Sequence, residues 1–159
     1  MSDFYLLIEE QIPKLMRYAA ALTRNPDQAC ELVEDTVREA LANQRRSGDA
    51  ADFRVWLLTM LHDLRGNPFR TTVAAPGELD RDPAALLTLS DLDRALGQLA
   101  EDQRAIILLV GLEGLPYTQV AAILRITAGT LKSRLARARA RLRRAMGVDT
   151  AEPRVARAA

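Results

Sequence analysis

Residues 112–146 read LEGLPYTQVAAILRITAGTLKSRLARARARLRRAM, and this stretch decides the fold. Gly114-Leu115-Pro116 marks a turn, since glycine accepts positive φ and proline presets its own. Residues 118–124 then read as a short helix, 125–127 as a connector and 128–146 as a long helix. In the long helix Leu131, Leu135, Ala138 and Leu142 recur at helical spacing and make one apolar stripe. Thr127 is the expected N-cap, and the free N–H groups beyond it suit a phosphate. Lys132, Arg134, Arg137, Arg139, Arg141, Arg143 and Arg144 take the other faces. Ala128, Gly129 and Thr130 are small, which lets the helix start approach a groove closely. A short helix, a turn and a long basic helix form the pattern of a DNA-binding helix-turn-helix. A charge run is more often a solvated face. This one is of a single sign, without the acidic partners that an exposed ion-pair helix uses.

Working outward, residues 91–99 predict a helix capped by Ser90, and residues 102–112 an apolar one around Ile106-Ile107-Leu108-Leu109-Val110. Residues 89–147 therefore make a four-helix unit. Residues 71–88, punctuated by Pro76-Gly77 and Asp82-Pro83, read as a flexible linker, and residues 148–159 as a disordered tail. Residues 1–70 make a second small unit of three helices. The first spans about 4–22, with Pro13 as a kink or boundary. The second reaches residue 43 and is capped by Asp27 after the Asn25-Pro26 turn. The third spans 53–64, carries Phe53, Trp56, Leu57, Met60, Leu61 and Leu64 on one side, and is stopped by Gly66 and Pro68. The expectation is an all-α protein of two small helical domains.

Composition agrees. Hydrophobic residues make up 48% of the 159 and aromatics only 4%, a balance that closes helical cores more readily than sheets. The formal net charge of +1 hides an asymmetry. Residues 125–146 hold seven Arg and one Lys with no Asp or Glu, whereas residues 1–50 are acidic on balance. Two opposite ends suggest two partners, and phosphates suit the basic one. Cys30 stands alone, which excludes an intrachain disulfide or a cysteine zinc cluster, and a buried thiol is expected there. His62 is the only histidine and has no second ligand set, so no metal site is expected. With no nucleophile elbow and no Gly-rich phosphate loop, neither a cofactor nor an enzyme activity is expected. No apolar run has the length of a membrane span, and the N-terminus lacks a basic signal start, so a cytoplasmic protein is expected.

Several stretches carry a family resemblance. Asp93-Arg94-Ala95-Leu96-Gly97-Gln98-Leu99, Asp102-Gln103-Arg104, Leu112-Glu113-Gly114-Leu115-Pro116-Tyr117 and Gly129-Thr130-Leu131-Lys132-Ser133-Arg134-Leu135 closely resemble the C-terminal domain of extracytoplasmic-function sigma factors. The resemblance implies a domain that reads the upstream promoter element. Lys132, Ser133 and Arg137 would then face bases or adjacent phosphates, with Thr130 and Arg134 on the backbone or in support, and Thr118 and Arg141 are further candidates for the upstream element. Residues 17–23 and 31–41 are similar to the family's polymerase-docking segment, which implies a polymerase-binding face of Glu31, Glu34, Asp35 and Arg38. Phe53-Arg54-Val55-Trp56-Leu57 and His62 resemble its promoter-melting helix. That implies Arg45, Arg46, Arg54, Trp56, His62, Asn67 and Arg70 as candidates for the downstream element. Trp56, spaced with Leu57 and Met60, also fits a core position.

The partners so implied are promoter DNA, core RNA polymerase through its β′ clamp helices and β flap, and an anti-sigma factor. Two other expectations stay open. Asp63, Gly66 and Pro68 depart from the family pattern and keep a sigma-like decoy in play. A plain helix-turn-helix regulator is the other.

Overall fold

A computed structural model describes residues 2–44, 50–66 and 89–148, and every described element is helical. Arg45, Arg46, Asn67, Arg70, the expected linker and residues 149–159 lie outside the described residues.

The first helix, α1, runs Ser2–Thr23 and passes through Pro13 without stopping. Pro13 is exposed, so the carbonyl that loses its N–H partner can turn to water. The opposite face buries Ile8, Leu15, Tyr18, Ala19 and Leu22. Helix α2 runs Pro26–Ala42, and its N-cap is Asn25, not the expected Asp27. Pro26 has no N–H to satisfy and fits the first helical position, so the cap falls one residue before it. The Asn25 side chain accepts from the backbone N–H groups of Asp27 and Gln28 at 3.0 and 3.1 Å. Ala29, Leu32, Val33, Thr36 and Ala40 form the buried stripe of α2. Cys30 falls off that stripe and is exposed, contrary to the buried thiol expected. Helix α3 is Ala50–Arg65, with Phe53, Leu57, Leu58 and Leu61 fully buried.

Helix α4 is Leu89–Gly97, so Ser90 lies inside it and is not its cap. It ends before the expected Leu99, its last turn tightened by the Gln98 and Leu99 amides bonding three residues back. Helix α5, Glu101–Ile107, continues into a π-helical segment, Leu108–Leu112. There the Glu113 amide reaches the Leu108 carbonyl at 2.9 Å. Gly114 then turns the chain at a φ of +62°, a conformation costly for any residue with a Cβ. Helix α6 is Tyr117–Leu124, closed by Arg125 in the left-handed region, and α7 is Ala128–Met146.

Helices α1, α2 and α3 pack together in one unit, and α4, α5 and α6 pack on α7 in the other. The two units also pack on each other, α3 against α6 and α1 against both α5 and the π-helical segment. Tyr18, Leu22, Phe53 and Leu57 thus belong to the same apolar cluster as Ile106, Leu109, Val120, Ile123 and Leu131. Each such side chain, once buried, contributes about 1.5–3 kcal/mol of transfer free energy. Arg104 ties the units further. Its buried guanidinium donates to the Leu96 and Leu99 carbonyls, both at 2.9 Å, and to the Leu22 carbonyl at the end of α1. A cation among the carbonyl ends of two helices is favoured by their dipoles. Burial lowers its pKa, and nearby Arg24 lowers it further.

Candidate nucleic-acid interface

Leu131, Leu135 and Ala138 bury one face of α7 against the core, with Leu142 half-buried beyond them. Because that stripe fixes the rotation of the helix, Lys132, Ser133, Arg134, Arg137, Arg139, Arg141, Arg143 and Arg144 all face outward, exposed. Among the described residues Lys132, Arg134, Arg137, Arg139 and Arg141 have no carboxylate partner, so their charge is available to a polyanion. The helix start is built as expected: the Thr127 hydroxyl accepts from the Thr130 amide at 3.2 Å and lies 2.9 Å from the Thr130 hydroxyl. Thr130 therefore supports the cap and is half-buried. Thr118 stands exposed in the first turn of α6.

The acidic face of α2 is also outward. Glu31, Glu34 and Arg38 are exposed, and Arg38 donates to Asp35 at 2.8 Å. The Cys30 thiol meets the Glu34 carboxylate at 3.8 Å. Glu31 borders a groove of about 310 Å³ that it shares with Gln28, Leu32, Leu64 and Arg65.

Helix α3 differs from the expected single-strand surface. His62 is largely buried, and its Nε2 shares a hydrogen bond of 2.6 Å with Tyr18 Oη. Burial lowers the His62 pKa to about 4, outweighing the carboxylates of Glu101 and Asp63. Burial likewise raises the Tyr18 pKa well above its ordinary value, so the phenol stays protonated. His62 is therefore a neutral packing residue in this arrangement. Trp56 is half-buried, its ring tilted against Phe53 and Phe4 at 5.5 and 6.4 Å between centroids, the core position that its spacing also fitted.

Arg54 is spent on the other unit. Its Nη2 pairs with the Glu113 carboxylate and donates to the Glu113 carbonyl at 3.1 Å. Glu113, only 1% exposed, lies 3.9 Å from Arg17 as well. Glu113 and Arg104 stand in the motifs that carry the resemblance, but their contacts with the other unit span a chain separation that no local pattern reveals.

Comparison with known proteins agrees with this geometry. The family described as Sigma-70, region 4 matches residues 89–142, and the Sigma2 domain of PhyR matches residues 8–62. The chain is 33% identical over 156 residues to the ECF RNA polymerase sigma factor EcfG of Rhodopseudomonas palustris, covering 89% of this chain and 83% of that one. It is 34% identical over 143 residues to the ECF sigma factor SigL of Mycobacterium tuberculosis, with 81% and 80% covered. Among solved structures, the sigma factor RpoE of Bartonella quintana in complex with the anti-sigma factor NepR superposes with a TM-score of 0.76 at 31% identity. That match covers 94% of this chain and 99% of that one. The PhyRSL–NepR complex of Sphingomonas sp. Fr1 shares the fold, at a TM-score of 0.67 and 20% identity over 94% and 92% of the two chains.

Proposed function

The chain belongs to the extracytoplasmic-function family of RNA polymerase sigma factors, and on that premise we propose how its residues bind core polymerase and direct initiation at particular promoters. The outward cations of α7 read the upstream element. Lys132, Ser133 and Arg137 reach base edges or adjacent phosphates in the major groove, while Thr118, Thr130, Arg134 and Arg141 fix the helix on the backbone. The outer face of α2, with Glu31, Glu34, Asp35 and Arg38, docks on a basic surface of the polymerase. Helix α3, with Arg54 as its foremost cation, serves the downstream element. An anti-sigma factor of the NepR kind holds the protein inactive, a reading supported by the superposition of both units on the NepR-bound relative. The role is one of regulation and not of enzyme catalysis.

The observation that carries this reading is α7: one buried stripe, with Lys132, Arg134, Arg137, Arg139 and Arg141 around it and without a carboxylate partner among the described residues. A second reading, a decoy that sequesters an anti-sigma factor, is favoured by the match of residues 8–62 to the PhyR domain. A decoy makes no use of that α7 surface.

Co-purification with core polymerase tests the docking face. Glu34→Lys with Asp35→Lys should abolish assembly with core enzyme and leave helical content unchanged. Assembly of the double variant at wild-type strength would show the docking face to lie elsewhere.

A further inference from the structure

Among the described residues five ion pairs cross from the three-helix unit to the helix-turn-helix unit, the longest being Arg17 to Glu113 at 3.9 Å. Arg54 pairs with Glu113, and Arg65 grips Glu101 bidentately at 2.5 and 2.6 Å. Arg24 pairs with Asp93 at 2.8 Å and also donates to the Asp93 carbonyl. In the reverse sense Arg125, at the helix-turn-helix turn, holds Asp63 through two bonds of 2.8 and 3.1 Å. Exposure falls from the last pair, at 70% and 46%, to 13% and 30% for Arg65 and Glu101, so the second is the less screened by solvent. The fit is close at Gly97 too, where a Cβ would come within 2.8 Å of the Arg24 guanidinium. Beneath these pairs α6 lies directly on α3. The surfaces are not masked equally: the cations of α7 and the acidic face of α2 stay outside the seam, while Arg54 is inside it.

We propose that the protein closes on itself, with α6 and the Glu113 carboxylate covering the Arg54 face of α3, so that the helix-turn-helix unit and a single DNA strand compete for that face. This rests on the reading of α3 as the downstream-element helix. Carboxylates of one unit stand where phosphates would stand, and closure leaves upstream-element reading open while blocking strand capture. Polymerase or DNA must then separate the units before melting, and the ion pairs set how readily they part.

Full-length protein tests this with two charge-matched triple variants. One removes seam carboxylates, Asp63→Asn, Asp93→Asn and Glu101→Gln. The control removes exposed carboxylates of α1, Asp3→Asn, Glu9→Gln and Glu10→Gln. Spin labels on Cys30 of α2 and on an Ala136→Cys change in α7 report the spacing of the units by pulsed electron resonance, and circular dichroism checks helicity. A labelled oligo-dT strand is the binding probe. The seam variant is expected to lengthen and broaden the label spacing and to bind oligo-dT about three- to tenfold more tightly than the control, the gain from a larger open fraction. Identical spacing in seam variant, control and wild type overturns closure. A lengthened spacing with oligo-dT affinity equal to the control overturns the masking of α3. If no form binds oligo-dT at low salt, the reading of α3 itself fails, whatever the spacing shows.

Discussion

Arg137 and His62 show how the same fold sets two polar side chains to opposite tasks. Arg137 is exposed on α7, where its guanidinium can present two parallel donors to a guanine edge. Arg137→Ala should weaken binding to the cognate promoter duplex by about 1–3 kcal/mol and relax the preference at one base position. Fluorescence anisotropy against single-base variants of the site checks both. His62 is turned inward onto Tyr18 and held neutral. Its folded pKa of about 4 lies below the ordinary 6.5, so the unfolded chain binds the extra proton between those values. Stability therefore carries no His62 penalty above about pH 6.5. It falls as the pH drops from there towards 4, by up to about 3 kcal/mol. Urea midpoints measured across that range should decline more steeply for the wild type than for His62→Gln, which cannot titrate. Parallel declines would mean that His62 charges as easily folded as unfolded.

At the level of elements, the start of α7 positions everything that the proposed recognition surface offers. Thr127 satisfies one of the free amides there, and its loss should cost about 1 kcal/mol. Thr127→Ala should fray the first turn, raise hydrogen exchange at the Thr130 and Leu131 amides and lower promoter affinity with little change in salt dependence. Unchanged exchange would show that packing alone holds the turn. These elements were also the most legible in the sequence. The stripe of Leu131, Leu135 and Ala138 and the cap at Thr127 are local patterns, and the structure has them where the spacing puts them. Asn25 in place of Asp27 is a one-position choice made by Pro26. The π-helical segment was not legible, because residues 106–112 are as apolar in a π register as in an α register. It mattered, since it ends on the buried carboxylate that meets Arg54. A lone cysteine in a helix carries no sign of which face it takes, and the structure faces Cys30 outward.

For the whole molecule, the sequence revealed two helical units but not their closure. Nothing local marks Arg104 as a bond to the Leu22 carbonyl, or Asp63 as the partner of Arg125. The departure at Asp63 from the family pattern, troubling for a surface that meets phosphates, has a structural use as an anchor of the seam. Charge asymmetry along the chain thus leaves the cations of α7 outward and sets carboxylates of one unit against arginines of the other. Run-off transcription with purified core polymerase, on the region upstream of the protein's own gene, tests the central claim most directly. A discrete transcript that requires this protein, and that weakens with Arg137→Ala, is the expected result. Absence of any protein-dependent transcript, together with failure to bind core enzyme, would contradict the account.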